Sequence, residues 1–357
     1  MEMATICLPI PDRSPALTPL RCNLSAVNNE ELDTMPPPAA TKSQQQTAVF
    51  KEELVNTSQI KFKPYSTIVA WGYAIGPLLI IASHGGSLLL LRTGISWSGL
   101  AWLIGWYLLR MLAITAVYHR LLVHRSYRAP KFVLRTGCLL ATAAGQMGPS
   151  WWKAHHLKHH QLSDQKGDPH SPQVSGGGWR GFVVAQTSWL FSSAFFPESL
   201  PADVESDRLL KGLDRLHFLP LLVVSAFSYV LGGAEFLAAF CLSTTLLFHG
   251  VATVNSLAHL RGEQPFQTGD YSRNNQLVAC ITLGEGWHNT HHAFRYSCRH
   301  GITIAKGKVR HLLDPTYDFI LLLAKVGLAS DLKLPSNQQL LAAIHPDTVM
   351  EASSISS

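Results

Sequence analysis

Two long apolar stretches in the first third of the chain restrict it to folds in which apolar helices are shielded by lipid. Only His84 and a few hydroxyl side chains interrupt residues 65–91, and residues 97–118 form a second such stretch after a short loop. A helix needs about 20 apolar residues to cross about 30 Å of hydrocarbon. The two stretches therefore predict two membrane spans joined as a hairpin.

A second hairpin is predicted from residues 213–231 and 236–260, which are separated by only four residues. Two hairpins leave both termini and the segment between the hairpins on one side of the membrane. Eleven Lys and Arg residues lie within residues 120–211 and nine follow residue 260, whereas the two short loops contain only Arg92. The positive-inside rule assigns the basic side to the cytosol, or to the equivalent side of an organelle membrane.

The composition agrees with a lipid environment and excludes several other classes. Only 15% of the residues are charged, whereas soluble domains have about 25%. The net charge of +6 lies in segments that flank the spans and is not accompanied by base-stacking aromatic side chains, so we expect no nucleic-acid partner. The six cysteines form no CxxC pair, which argues against a disulfide framework or a zinc ribbon.

The chain divides into three parts by composition. Residues 1–64 are rich in Pro, Ser, Thr, Gln and Asn and predict a mostly disordered leader, which is a possible targeting segment although it contains more acidic residues than plastid transit peptides usually have. Residues 65–345 are expected to form one domain, and residues 346–357 a flexible tail. Three weaker apolar runs predict helices at the cytosolic interface or packed over a site: 132–148, 182–196 and 319–328.

Seventeen histidines are present, and most of them are clustered. The second span ends in an HxxxxH pair, His119 and His124. Five residues of an α-helix turn through about 140°, so this pair either marks the end of the helix or serves two adjacent metal ions. Two HxxHH boxes follow, with i, i+3, i+4 spacing that predicts three imidazoles on one helix face in each box. Their histidines are His156, His159 and His160 in one box, and His288, His291 and His292 in the other.

Eight imidazoles exceed the ligands that one ion takes, so they suit a pair of ions, and imidazole favours Fe, Zn, Cu and Ni. His259 is a ninth candidate, and Asn255 lies one turn before it on the same face. Glu-x-x-His pairs are absent from the clusters, so we expect Asp168 and Glu285 only to orient imidazole N–H groups, with His155 and His170 beside the ligands. The remaining six are expected to have no metal role: His84, His217, His249, His300, His311 and His345.

These motifs together resemble the membrane-bound fatty acid desaturase family, within it the Δ9-type acyl-CoA and acyl-lipid desaturases. HRLLVH, WWKAHHLKHHQLSDQKGDPHSP, NSLAH and GEGWHNTHHAF occur in that order, and their wording is closest to that of bacterial, algal and plant members. The resemblance implies an all-α integral membrane protein with four transmembrane helices in two hairpins and a cytosolic helical cap that carries a histidine-ligated di-iron site. It implies two Fe²⁺ ions bound by the nine histidines named above, with Asn255 contacting a metal through water.

The resemblance also implies a reaction and its partners. O₂ and two electrons would remove two hydrogens from adjacent methylenes of a saturated acyl chain, giving a cis double bond and two waters. The substrate would be a fatty acyl-CoA or an acyl-lipid in the endoplasmic reticulum or, alternatively, a plastid membrane. No HPGG haem motif of a fused cytochrome b5 occurs in these residues, so cytochrome b5 or ferredoxin is expected as an external electron donor.

An apolar tunnel should hold the acyl chain, with Trp152 in its wall. Tyr107 and Leu108 lie about 16 to 18 Å before His119 along the helix axis, where either could cap the methyl end or simply pack between helices. Two other functions are open at this point: a di-iron lipid hydroxylase, and a histidine-rich membrane metal transporter. A transporter should have ligands along a path through the bilayer, whereas these histidines lie at one edge.

Overall fold

A computed structural model describes residues 60–305 and 307–346, so most of the predicted leader and nearly all of the predicted tail lie outside the described residues. The described part is mostly helical. Its first half contains β1 (Phe62–Lys63), α1 (Thr67–Tyr73), α2 (Ile75–Ser87), α3 (Leu90–Thr93), α4 (Trp97–Leu112), a π-helix (Ala113–Val123), α5 (Lys131–Thr142), α6 (Pro149–Leu162) and α7 (Gly178–Gln186).

The second half begins with two 3₁₀ turns and a short strand that pairs with β1. Its elements are the 3₁₀ turns Ser188–Phe191 and Ser193–Phe195, β2 (Leu200–Pro201), α8 (Ala202–Glu205), α9 (Arg208–Arg215), α10 (Phe218–Ser256), the 3₁₀ turn Leu257–His259, α11 (Gln276–Ile281), α12 (His288–Ala293), β3 (Ile302–Ala305), β4 (Lys308–His311), α13 (Pro315–Lys325) and α14 (Asn337–Ala342). Strands β3 and β4 form an antiparallel hairpin.

Three helical segments of the described chain have the length and composition to cross a membrane: Thr67–Thr93, Trp97–Val123 and Phe218–His259. The first two correspond to the predicted spans 65–91 and 97–118. The third contains most of the predicted span 213–231 and nearly all of 236–260. Helix α10 is interrupted by non-helical backbone at Gly232 and Gly233, and Gly233 has a φ of 60° that glycine adopts without steric cost.

The interruption of α10 coincides with contacts to the start of α4. The Trp102 indole stacks on Phe236 with ring centroids 5.3 Å apart and also lies 6.0 Å from Phe227, so it touches α10 on both sides of the two glycines. At the same end of the molecule, the Glu235 carboxylate accepts hydrogen bonds from the Ser96 backbone N–H at 2.7 Å and from the Ser96 hydroxyl at 2.6 Å. The segment before α4, which contains Ser96, therefore contacts the interrupted part of α10, which contains Glu235.

Helix α6 is held at its first turn by a carboxylate from α9. Pro149 occupies the first turn, where its missing N–H removes no intrahelical bond. The next two backbone N–H groups, of Ser150 and Trp151, both donate to Asp214 Oδ1 at 2.9 Å, and the other carboxylate oxygen accepts from the Tyr73 hydroxyl. Asp214 is fully buried. These bonds fix the start of the helix that carries the first HxxHH box.

Candidate metal centre

The π-helix places both histidines of the HxxxxH pair in one cluster. The His124 N–H donates to the His119 carbonyl at 3.1 Å, which is the i to i+5 pattern of a π-helix. Residue i+5 therefore follows residue i by about one turn, and the two imidazole centroids are 4.8 Å apart. The 140° separation expected from α-helical geometry does not occur, because the helix widens over this segment.

Each HxxHH box is divided between two clusters. Successive residues on a helix point about 100° apart, and this angle sends neighbouring histidines to different places. The five-histidine cluster contains His119, His124, His156, His160 and His291; the four-histidine cluster contains His159, His259, His288 and His292. Helices α6 and α12 thus each contribute to both clusters, because the three imidazoles of a box cover about 100° of the helix circumference and reach two neighbouring clusters.

Imidazole nitrogens converge within each cluster at distances that fit a shared metal ion. In the five-histidine cluster, the Nε2 atom of His156 lies 2.9 Å from those of His124 and His160, and the Nε2 atoms of His119 and His291 are 3.1 Å apart. Two nitrogens bound at right angles to one metal at about 2.1 Å lie about 3.0 Å apart. The donor sets therefore suit first-row transition metals.

Carboxylates on the outside of the clusters explain why lone pairs point inward. Each accepts from the Nδ1–H of one imidazole, which leaves Nε2 available to bind a metal. The Nε2 atoms of His159 and His292 are buried and have no hydrogen-bond partner, as expected of nitrogens that can bind a metal ion. The Nδ1-to-carboxylate pairs are His119 with Glu285 at 2.5 Å, His159 with Asp168 at 3.0 Å, His259 with Asp164 at 2.7 Å, and His292 with Asp270 at 2.6 Å.

The electrostatics act on the two kinds of group in different ways. Burial lowers the pKa of His159, but the adjacent Asp168 carboxylate outweighs burial, so that pKa lies above its ordinary value. Burial raises the pKa of Asp168, but the adjacent His159 lowers it by more, so the pKa of Asp168 lies below its ordinary value. Asp270 behaves in the same way beside His292. Burial holds the pKa of His288 well below its ordinary value, and the other histidines around it lower it further. Neutral imidazole is the form that binds metal.

Asp164, Asp270 and His300 were missed by sequence reasoning. Asp164 lies in the same motif as Asp168, four residues after His160, and that proximity could have indicated it. Asp270 lies in a loop with no motif that marks it. His300 was expected to have no metal role, but it is fully buried, its ring centroid is 4.6 Å from that of His291, and its Nδ1 lies 3.4 Å from Glu285 Oε2.

Glu285 belongs to a buried network that also fixes the segments around α12. Arg120, which is fully buried, donates to Glu285 Oε1 at 3.1 Å and to the Cys298 carbonyl at 2.7 Å. Its guanidinium also pairs with Asp314, whose Oδ2 accepts from the His300 N–H at 2.7 Å. The network joins the π-helix to the start of α13 and holds Glu285 beside His119.

The other predicted site residues differ in their distance from the clusters. The His170 ring lies 4.7 Å from that of His159, and Trp152 stacks on His156. His155 instead stacks on Trp151 at 3.9 Å, and its ring nitrogens face two backbone carbonyls, those of Trp151 and Ala194. Within the described residues no ring contact joins it to a cluster, because it lies about 100° around α6 from His156, although both side chains line the cavity described below.

A mostly apolar cavity runs beside both clusters. Its wall includes histidines of both clusters, His119, His156 and His288, together with residues of α2, α4, the loop after α5 and α10. The lining also includes Asn255, Trp152, Ile80, Met111, Gly145, Met147 and Phe248.

Tyr107 and Leu108 do not line this cavity. The Tyr107 hydroxyl donates to the Ile281 carbonyl at 2.6 Å, and the Leu108 side chain is 42% exposed on the outer face of α4. Met111, one turn closer to His119, lines the cavity instead.

The described chain has three helices of membrane-spanning length and two histidine clusters that could bind metal beside an apolar cavity. These are the features of a membrane oxidoreductase that acts on an apolar chain. Residues 96–319 match the family model described as fatty acid desaturase. The match covers more than half of the chain, which therefore belongs to the fatty acid desaturase family and is an oxidoreductase of lipid metabolism.

Its relatives share about a third of their residues with it. It is 32% identical over 310 residues to "Acyl-CoA C20 Delta5-desaturase" of Anemone leveillei, covering 82% of this chain and 94% of the relative. It is 30% identical over 294 residues to "Palmitoyl-monogalactosyldiacylglycerol delta-7 desaturase, chloroplastic" of Arabidopsis thaliana, covering 79% and 76%. It is 32% identical over 234 residues to "Delta-9 acyl-lipid desaturase 1" of Arabidopsis thaliana, covering 64% and 73%.

Proposed function

We propose that the protein is an O₂-dependent fatty acyl desaturase that introduces a cis double bond at Δ9 of a saturated acyl chain. The observation that carries this proposal is the pair of histidine clusters beside one apolar cavity. In this reaction, one –CH₂–CH₂– unit of the acyl chain would react with O₂, two electrons and two protons. The products would be –CH=CH– and two waters. The Δ5 and Δ7 names of two relatives make those positions the alternative outcomes of product analysis.

We propose that the five-histidine cluster holds one iron and the four-histidine cluster the other. Iron bound there would activate O₂, the oxidant that removal of hydrogen from unactivated methylenes requires, and no side chain provides that chemistry. The protein holds the acyl chain in the apolar cavity, keeps water away from the reacting carbons and fixes the imidazoles through their carboxylates. Asn255 and His288 both line the cavity, and we expect Asn255 to contact a metal through water.

The membrane arrangement that we propose has four spans in two hairpins and a cytosolic helical cap, within a domain of residues 65–345. The backbone interruption at Gly232 and Gly233 supports a turn inside the third membrane-length segment. A straight helix of 42 residues would be about 63 Å long, twice the hydrocarbon thickness. The contacts of Trp102 on both sides of the two glycines support the same turn.

The substrate carrier and the electron donor follow from the same proposal. We infer an acyl-CoA or acyl-lipid substrate, because relatives of both kinds match the chain. Electrons would come from cytochrome b5 if the protein lies in the endoplasmic reticulum, and from ferredoxin if it lies in a plastid membrane. The Lys and Arg residues on the cap side provide a surface for either acidic carrier.

The proposal is tested by expression in a yeast strain that lacks its own Δ9 desaturase. Wild-type protein should restore growth without unsaturated fatty acids, and gas chromatography should identify a Δ9 monounsaturated product. Alanine at His159 or His291 should abolish both, whereas alanine at the exposed His311 should not. Hydroxylated products would instead identify a di-iron hydroxylase. Altered metal uptake without any change in lipids would identify a transporter, and either result would overturn the proposal.

A further inference from the structure

Arg110 is a fully buried cation within the second membrane-length helix. No carboxylate of the residues that the structure describes lies within ion-pair distance of its guanidinium. Ionisable side chains inside membrane helices are costly, and their partners indicate what they do.

The partners of Arg110 are neutral groups on three separate elements. Its Nε donates within α4, its Nη1 donates to the end of α5 and to α10, and its Nη2 donates to α10 again. The accepting atoms are the carbonyls of Trp106 (3.0 Å) and Ala143 (3.0 Å) and the hydroxyls of Thr244 (2.8 Å) and Ser243 (2.7 Å). The guanidinium also lies 4.2 Å from the Phe240 ring centroid.

Two of these contacts reach the wall of the cavity. Ala143 opens the non-helical loop that leads to Gly145 and Met147, both of which line the cavity and have positive φ angles of 72° and 63°. A Cβ atom placed on Gly145 would lie 3.1 Å from Ile80 Cδ1 and 3.6 Å from Thr244 Cγ2. The loop is therefore packed directly against a side chain that Arg110 holds.

Arg110 also provides a hydrogen-bond donor for a backbone carbonyl at the start of the 143–147 loop. A loop within the depth of a membrane protein needs polar partners for its carbonyls, because lipid offers none. Arg110 supplies one for Ala143 while fixing α10 through Ser243 and Thr244. Its neighbour Met111 lines the same part of the cavity.

We propose that Arg110 is a positioning residue that sets the shape of the part of the cavity lined by Ile80, Gly145 and Met147, and thereby the acyl chain length that is accepted. This inference rests on the proposed desaturase function. Without the guanidinium, α4, the 143–147 loop and α10 lose their shared anchor, so the cavity wall can move outward. Discrimination between chains that differ in length by two methylenes should then fall about tenfold, a value within the range known for single-methylene selectivity.

The experiment compares Arg110→Met, Arg110→Lys and Thr244→Val with wild type and with the control Leu109→Ala, whose side chain is 44% exposed. Thr244→Val removes only one acceptor while keeping the side-chain shape. Cells fed equal amounts of hexadecanoate and octadecanoate report the product ratio per amount of protein. Thermal stabilisation of the purified full-length proteins by hexadecanoyl-CoA and octadecanoyl-CoA reports the same preference without turnover.

We expect Arg110→Met to shift the ratio most, Arg110→Lys and Thr244→Val less, and Leu109→Ala not at all. An unchanged ratio in Arg110→Met and Thr244→Val overturns the inference. If Arg110→Met does not accumulate, Thr244→Val decides alone. If wild-type protein makes no unsaturated product, the proposed function fails, and the thermal-stabilisation ratio of the variants still decides whether Arg110 sets chain-length preference.

Discussion

The two histidine clusters differ in how the protein supports them. Within the described residues, one carboxylate, Glu285, contacts an imidazole of the five-histidine cluster, whereas Asp164, Asp168 and Asp270 contact three of the four imidazoles in the other cluster. The second cluster therefore has fewer ligands and more negative charge around it. Carboxylate contacts make an imidazole a stronger donor, so the two proposed metal sites should respond differently to mutation.

The largest effect should follow from removing one ligand from either cluster. Substitution of His124 or His288 by alanine deletes a donor that no neighbouring carboxylate can replace, and desaturation should fall below detection in both cases. Fatty-acid analysis of cells that express each variant measures this, with His311→Ala as the matched control. Activity in either variant comparable to that of wild type would remove that histidine from the ligand set.

Loss of Glu285 should be the most damaging change among the carboxylates. Glu285→Gln keeps the shape but removes the only carboxylate that contacts the five-histidine cluster within the described residues, and it weakens the ion pair with Arg120. We expect about 10- to 100-fold weaker metal binding there. Metal retention during titration with a chelator measures this effect.

The three aspartates beside the four-histidine cluster allow the same test on the other side of the comparison. Asp270→Asn should weaken metal retention less than Glu285→Gln, because Asp164 and Asp168 still support the four-histidine cluster. The same chelator titration makes the comparison. An equal or larger loss in Asp270→Asn would show that the number of carboxylates does not govern how tightly each cluster holds its metal.

The smallest effect should arise in the cavity. Met111→Ala removes three side-chain atoms from the wall, so products should shift to chains about two carbons longer with total activity maintained. Leu108→Ala, on the outer face of the same helix, should leave the profile unchanged. Gas chromatography of the products separates the two, and a shift in Leu108→Ala would return the cap to the position expected from sequence.

Sequence patterns could predict that the histidines converge, but not how they are divided between the two clusters. His156, His159 and His160 lie within 100° of rotation on an α-helix, and only the position of α12 decides which of them faces which cluster. The π-helix could not be predicted, because the apolar pattern before His119 is compatible with ordinary helical periodicity. The supporting Asp270 comes from a loop, whose conformation depends on tertiary contacts such as the bond between His292 and its carboxylate.

The membrane helices illustrate the same limit. Apolar length indicated where the chain can cross a bilayer, and the segments 67–93 and 97–123 agree with those predictions. Sequence alone could not show which face of α4 lines the cavity, where Met111 lies and Tyr107 and Leu108 do not. That face is set by packing against α10 and by Arg110, and neither is encoded in the local pattern around Tyr107.

The central claim is that the two clusters are separate metal sites, and metal content measures it most directly. Purified wild-type protein should contain two iron ions per chain by mass spectrometry of the metal. His124→Ala and His288→Ala should each retain one, and the double variant none. One ion or fewer in the wild type, or complete loss in either single variant with the fold intact by circular dichroism, would contradict the account.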